Sequence, residues 1–103
     1  MIVRLSNAGA VVQDPDDLAD LRLNTDLDPD DLRKVLATTG TGELSDDHTA
    51  LLDVAVLRSL AVLRPTAPGW STRWKAMIED ARGQGLLSAD GRSVRVPVSR
   101  APR

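Results

Sequence analysis

Three aspartates at alternate positions, Asp26, Asp28 and Asp30, are spaced like the first ligands of a calcium-binding loop, in which carboxylates surround one ion. Such a loop also needs a glycine at its sharp turn and a glutamate that completes the coordination shell. The sequence has Asp31 and Ala37 at those two positions. We therefore interpret the aspartates as helix-start residues, which are favoured by the positive end of the helix dipole. No metal ion is expected.

His48 is the only histidine, so a serine triad or an imidazole metal site would have to use it. Its neighbours Asp46 and Asp47 are adjacent in sequence, and adjacent side chains of a helix point in different directions. Ser71 lies in Gly69-Trp70-Ser71-Thr72-Arg73, which has only one glycine of a nucleophile elbow. The absence of cysteine excludes a disulfide framework and a thiolate zinc site. The sequence predicts no active site.

Two glycine-rich stretches, Gly40-Thr41-Gly42 and Gly83-Gln84-Gly85, could begin phosphate-binding loops. Such loops follow a strand and open a helix, whereas both stretches follow predicted helices. They are interpreted as helix exits. We expect no cofactor and a non-enzymatic protein.

These residues belong to a chain of 103 residues with 42% apolar and 27% charged residues, which is typical of one globular domain. The predicted domain covers residues 1–98, followed by a disordered tail at 99–103. The sequence has no run of 18 apolar residues. We expect a cytoplasmic protein that does not bind membranes.

The predicted fold class is α+β, with about four helices and two short β-hairpins. Ile2–Leu5 and Ala10–Gln13 flank turn-forming residues and predict the first hairpin. An Asp-Pro-Asp-Asp-Leu pentad begins at Asp14 and again at Asp28, and each copy predicts a helix start. The first helix is expected to end near Leu21 and the second before Gly40.

The longest predicted helix runs from Ser45 to about Leu63, because Pro65 stops it. Apolar side chains cover almost every direction around it, and a helix of that kind must be covered on all sides. The other elements of a small domain can cover only one side, so we predict a homodimer. The interface candidates on this helix are Leu52, Val56, Leu60 and Leu63.

The last predicted helix begins at Ser71 and ends at about Arg82, with an apolar stripe that includes Trp74. Trp74 is expected in the core. Trp70 lies outside the stripe, and it is interpreted either as a core residue or as an interface residue. A second hairpin is expected from Leu86 to Val98, with Pro97 placing its last strand at a sheet edge.

The capped helix, the Gly85-Leu86-Leu87 exit and the hairpin turn Asp90-Gly91-Arg92 together resemble the end of a winged helix-turn-helix domain. This resemblance covers about a quarter of the chain and implies a winged-helix-like C-terminal half with a recognition helix and a wing. It implies nucleic-acid contacts for Thr72, Arg73, Lys75, Arg82, Arg92 and Arg95. The central outward position of the helix holds Glu79, which is poorly placed beside phosphates.

Charge is divided unevenly along the chain. The segment from Met1 to Leu57 has four basic and twelve acidic residues, and the remainder has nine basic and three acidic residues. Such a division suits two halves that attract each other, or an anionic partner for the basic half. The leading hypothesis is a homodimeric protein-interaction module, and the alternative is a small winged-helix DNA-binding regulator.

Overall fold

The computed structural model describes residues 1–46 and 48–100. Within them the chain forms an α+β fold with three helices and six strands, so the predicted count of four helices and two hairpins is wrong. The strands are β1 (Ile2–Ser6), β2 (Gly9–Gln13), β3 (Arg22–Thr25), β4 (Gly42–Leu44), β5 (Thr49–Asp53) and β6 (Ser93–Arg100). The helices are α1 (Pro29–Thr39), α2 (Val54–Ala61) and α3 (Trp70–Gly83).

All six strands join one mixed sheet in the order β2-β1-β3-β6-β5-β4. β1 and β2 form the predicted first hairpin, with Val3 opposite Val12. β3 runs parallel to both β1 and β6, and β5 runs antiparallel to both β6 and β4. The sheet therefore combines two antiparallel ends with a parallel centre.

One face of the sheet carries the core. The side chains of a strand alternate between faces, and the buried positions Val3, Leu5, Leu23, Val94 and Val96 all fall on the same face. α1 packs against β1 and β4, and α2 packs against β2 and β5. α3 adds Trp70, Trp74 and Ala81 to the same core. The opposite face is at least partly exposed along its length.

The predicted helix from Ser45 to Leu63 is replaced by strand β5 followed by the shorter helix α2. Along β5 the apolar residues alternate, so Ala50 and Leu52 are buried while Leu51 is half-buried on the other face. Asp53 begins α2, because its carboxylate accepts a hydrogen bond from the Val56 N–H at 3.0 Å. The cap therefore lies eight residues later than predicted, and β5 takes the first part of the apolar run.

The two Asp-Pro-Asp-Asp-Leu pentads have different structures. The second begins α1 as predicted, since the Asp28 carboxylate accepts from the Asp31 N–H at 2.8 Å, and Gly40 ends α1 in the left-handed conformation. The first forms turns rather than a helix. Its Asp16 accepts instead from the Ala67 N–H and from Arg73, 51 and 57 residues later in the chain. A long-range contact has replaced the local helix start.

β6 lies between β3 and β5, so the prediction that Pro97 marks an edge strand is wrong. The Val98 N–H donates to His48 on the β5 side, and the Arg95 N–H donates to Leu86 on the other side. Alternation places the nitrogen of Pro97 on the side away from β5, where pairing with β3 begins only at Val98. Proline is tolerated here because the missing N–H would have no strand partner.

The predicted winged-helix-like half is not formed, because the strand expected to project as a wing lies inside the sheet. Leu86 and Leu87 do pair with the start of β6, through the Arg95 N–H and a bridge to Val94. β6 continues to Arg100 and so includes the first two residues of the predicted tail. The other predicted tail residues, 101–103, lie outside the described residues. None of the described helices is both long enough and apolar enough to cross a membrane.

Candidate functional site

The most exposed large aliphatic side chains follow the end of α2. Leu63 is 79% exposed and Val62 is 56% exposed, whereas Leu57 and Ala61 on the inner side of the helix are fully buried. Arg64 comes next and forms no ion pair with the described residues. We call Val62, Leu63 and Arg64 the α2 corner. Two adjacent apolar side chains beside a free cation form a surface suited to protein contact.

A groove lies between the segment at residues 16–21 and helix α3. It consists of two adjoining cavities that share Leu18, Ala19, Met77 and Asp80. We call it the α3 groove. The inner cavity has a volume of about 260 Å³ and also borders Leu21, Ala81, Gln84, Leu86, Val94, Arg95, Val96 and Pro97. The outer cavity adds about 430 Å³, and the inner cavity by itself is large enough for a single aliphatic side chain.

The outer wall of the α3 groove is fixed at several points. The Trp70 indole N–H donates to the Pro15 carbonyl at 2.7 Å, and Arg73 Nη2 lies 2.8 Å from Asp16 Oδ1. The Met1 ammonium group donates to the carbonyls of Asp17 and Asp20. The N–H of Ala67 and the guanidinium of Arg73 hold the pKa of Asp16 below its ordinary value. This wall is therefore positioned before any partner binds.

The α3 groove combines an apolar floor with two exposed charged residues at its border, Asp80 on α3 and Arg95 on β6. Leu18, Met77 and Leu86 supply half-buried apolar surface. Asp80 borders both cavities and forms no ion pair within residues 1–46 and 48–100. The arrangement can receive an aliphatic side chain that is followed by a cationic one.

The predicted interface residues have different environments. Leu52 is fully buried inside the domain, and Trp70 is also buried, with its ring stacked on Trp74. These two side chains are occupied within the chain. Val56 and Leu60 are half-buried on α2. Leu63 alone of the predicted set is largely exposed, and it belongs to the α2 corner.

The residues predicted for nucleic-acid binding are all exposed, but two of the arginines are paired with acids. Arg73 pairs with Asp16, and Arg82 Nε lies 3.6 Å from Glu79 Oε1. Thr72 and Lys75 lie on the outer side of α3, whereas Arg92 and Arg95 lie in or next to β6. The structure therefore distributes these six residues over a helix and the sheet, without a projecting wing.

The face of the sheet opposite the core is another candidate binding surface. It carries the polar residues Arg4, Arg22 and Asn24 on the neighbouring strands β1 and β3. Arg22 Nε and Asn24 Oδ1 are buried and have no hydrogen-bond partner in the described part of the chain. Proteins that bind single-stranded nucleic acid commonly stack bases on exposed aromatic rings. The only aromatic residues of the chain are two tryptophans, and both are buried, so this face has no stacking ring.

The sequence analysis did not find the α3 groove. Its wall comes from residues 16–21, which were expected to be a helix, and its floor comes from α3 and β6, which are remote in sequence. For the α2 corner, the available signal in the sequence was the apolar pair at positions 62 and 63 just before Pro65. Among residues 1–46 and 48–100, no three acidic or histidine side chains converge as metal ligands would.

No protein-family model matches the chain, and the comparisons with curated proteins and with solved structures find no similar protein.

Proposed function

We propose that this domain is a non-enzymatic protein-interaction module that forms a homodimer through the α2 corner. The observation that carries the proposal is the exposure of Leu63 and Val62 just after the end of a helix whose inner residues are fully buried. Burial of one leucine side chain stabilises an assembly by about 1.5–3 kcal/mol. Both side chains are exposed to water in a single chain, so this stabilisation is absent there. Contact with a second copy of the chain would supply it.

The long apolar helix predicted for the interface is replaced by β5 and the short helix α2. β5 buries Leu52 inside the domain, so the contact surface is reduced to the end of α2 and the residues after it. A stable interface buries at least about 1,000 Å² in total. The α2 corner must therefore meet a complementary surface rather than only its own copy.

Sedimentation velocity of the full chain over a range of concentrations tests the proposal. The subunit mass is 11.1 kDa, so we expect a species of twice that mass that dissociates on dilution. Leu63→Asp should give a folded monomer, because Leu63 is exposed and its replacement leaves the core intact. Thr66→Asp, at an exposed position in the same loop, is the matched control and should remain dimeric.

A concentration-independent monomer mass for the unmodified protein would contradict the proposal. A duplex DNA arm separates it from the regulator hypothesis. Salt-sensitive retention of the monomer on DNA, lost when Arg92 and Arg95 are replaced by alanine, would favour that alternative.

A further inference from the structure

We infer that the α2 corner of one copy occupies the α3 groove of a second copy, and that two such contacts close a two-fold dimer. The inference rests on the proposed function, because it names the surface that receives the corner. Leu63 would enter the apolar inner cavity, and Arg64 would lie beside Asp80. None of the corner residues lines the groove, so each copy can give a corner and offer a groove.

Size supports this pairing. The inner cavity of about 260 Å³ is lined by Leu18, Met77 and Leu86, which can surround a branched aliphatic side chain. Leu63 is the most exposed of the large apolar residues, and it stands at the end of a helix. A protruding apolar side chain and a cavity with an apolar floor therefore occur on the same molecule.

Charge supports the same orientation. Arg64 directly follows Leu63, and the cavity proposed for Leu63 is bordered by Asp80 on the α3 side and by Arg95 on the β6 side, so Arg64 would lie on the α3 side. Neither residue forms an ion pair within the described chain. Contact between copies would pair these charges and would weaken as salt rises. Contact between two α2 corners would instead bring Arg64 close to its own copy, with like charges facing each other.

Closure follows from the area that a stable interface needs. A stable interface buries about 800 Å² of the surface of each partner, and the three residues of a single corner cover less than that. Two reciprocal contacts use a corner and a groove from each copy, which doubles the buried surface. A single contact repeated in one direction would form an open chain rather than a dimer.

Complementation between two variants tests the inference. Ala19→Arg places a long side chain in the groove at an exposed position that borders both cavities. Leu63→Asp removes the corner. We expect each variant alone to be monomeric at concentrations where the unmodified protein is dimeric. Their equimolar mixture should associate more tightly than either variant alone and more weakly than the unmodified protein, because one intact corner can enter one intact groove while the second contact stays broken. Ala37→Arg, at an exposed position of α1 outside the groove, is the matched control and should stay dimeric.

The charge pair has its own test. Asp80→Arg and Arg64→Asp should each weaken the dimer at least tenfold at low salt, and the double variant should recover most of the loss. A dimer that survives Ala19→Arg but not Leu63→Asp would overturn the inference while leaving the proposed function intact. A mixture of the two variants that associates no more tightly than either variant alone would overturn it too. A monomeric unmodified protein would instead remove the proposed function itself.

Discussion

The Trp70 ring stacks on the Trp74 ring, with centroids 5.4 Å apart and an angle of 21° between the planes. Both side chains are only 3% exposed, and they hold the first turn of α3 against the core. The Trp70 indole N–H also bonds to the carbonyl of Pro15, which belongs to the segment before the groove wall. The tryptophan pair thus joins the core to the α3 groove.

Replacing Trp74 with alanine should lower the free energy of unfolding by about 3–5 kcal/mol, as removal of a buried aromatic side chain does. Chemical denaturation followed by circular dichroism measures the loss. Lys75→Ala changes the neighbouring exposed residue and should stay within about 0.5 kcal/mol of the unmodified protein. A loss below about 1 kcal/mol for Trp74→Ala would show that the side chain is not packed in the core.

Sequence patterns predicted the elements whose signals are local. The β1–β2 hairpin has alternating β-branched residues around a turn, and α1 has an aspartate cap, an apolar face and a terminal glycine. Burial of Trp74 followed from its spacing with Met77, Ile78 and Ala81. In each case the determining contacts lie within a few residues, so the pattern and the structure coincide.

The predictions that were wrong share a different cause. An apolar run such as Leu51–Leu63 fits a buried strand and a buried helix equally well, and periodicity cannot divide it. The turn after β2 has the residues of a helix start, but Asp16 is bound by Ala67 and Arg73 from a distant part of the chain. Pro97 suggested an edge because its neighbours across the sheet were unknown. Contacts between residues distant in sequence decide all three of these structures. The α3 groove depends on two of them, the turn after β2 and the position of β6 inside the sheet.

Gly42 in β4 tests the register of the sheet. A Cβ added there would collide with the backbone oxygen of Leu51 and lie 2.9 Å from the Cα of Leu52. Gly42→Ala should therefore destabilise the fold by about 1–3 kcal/mol, as overpacking does. The control is Gly83→Ala at the end of α3, where the added Cβ meets nothing within 4 Å. Because alanine favours helix more than glycine, that variant should gain up to about 1 kcal/mol. Equal melting temperatures for the two variants would contradict the β4–β5 pairing.

Three exposed aspartates make the free energy of unfolding depend on pH. The Ala67 N–H and Arg73 lower the pKa of Asp16. The Thr49 hydroxyl and the His48 N–H lower the pKa of Asp46. The Ser88 hydroxyl and the Arg92 N–H lower the pKa of Asp90. Each ordinary pKa is 3.8. A carboxylate with a lower pKa in the folded state adds stability above that ordinary value, and this stability is lost as pH falls through the folded pKa.

The variant Asp16→Asn measures the stability that the Asp16 carboxylate adds through its contacts at the groove wall. Urea unfolding at a series of pH values should show the largest difference between the unmodified protein and the variant above about pH 5, where Asp16 is ionised in both states. The difference should shrink below about pH 4, because the protonated carboxyl no longer attracts Arg73 and accepts more weakly from Ala67. Since the pair is exposed, added salt should reduce the part due to Arg73 while leaving most of the Ala67 hydrogen bond. A difference that stays constant from pH 7 to pH 3 would show that the Asp16 carboxylate does not anchor α3.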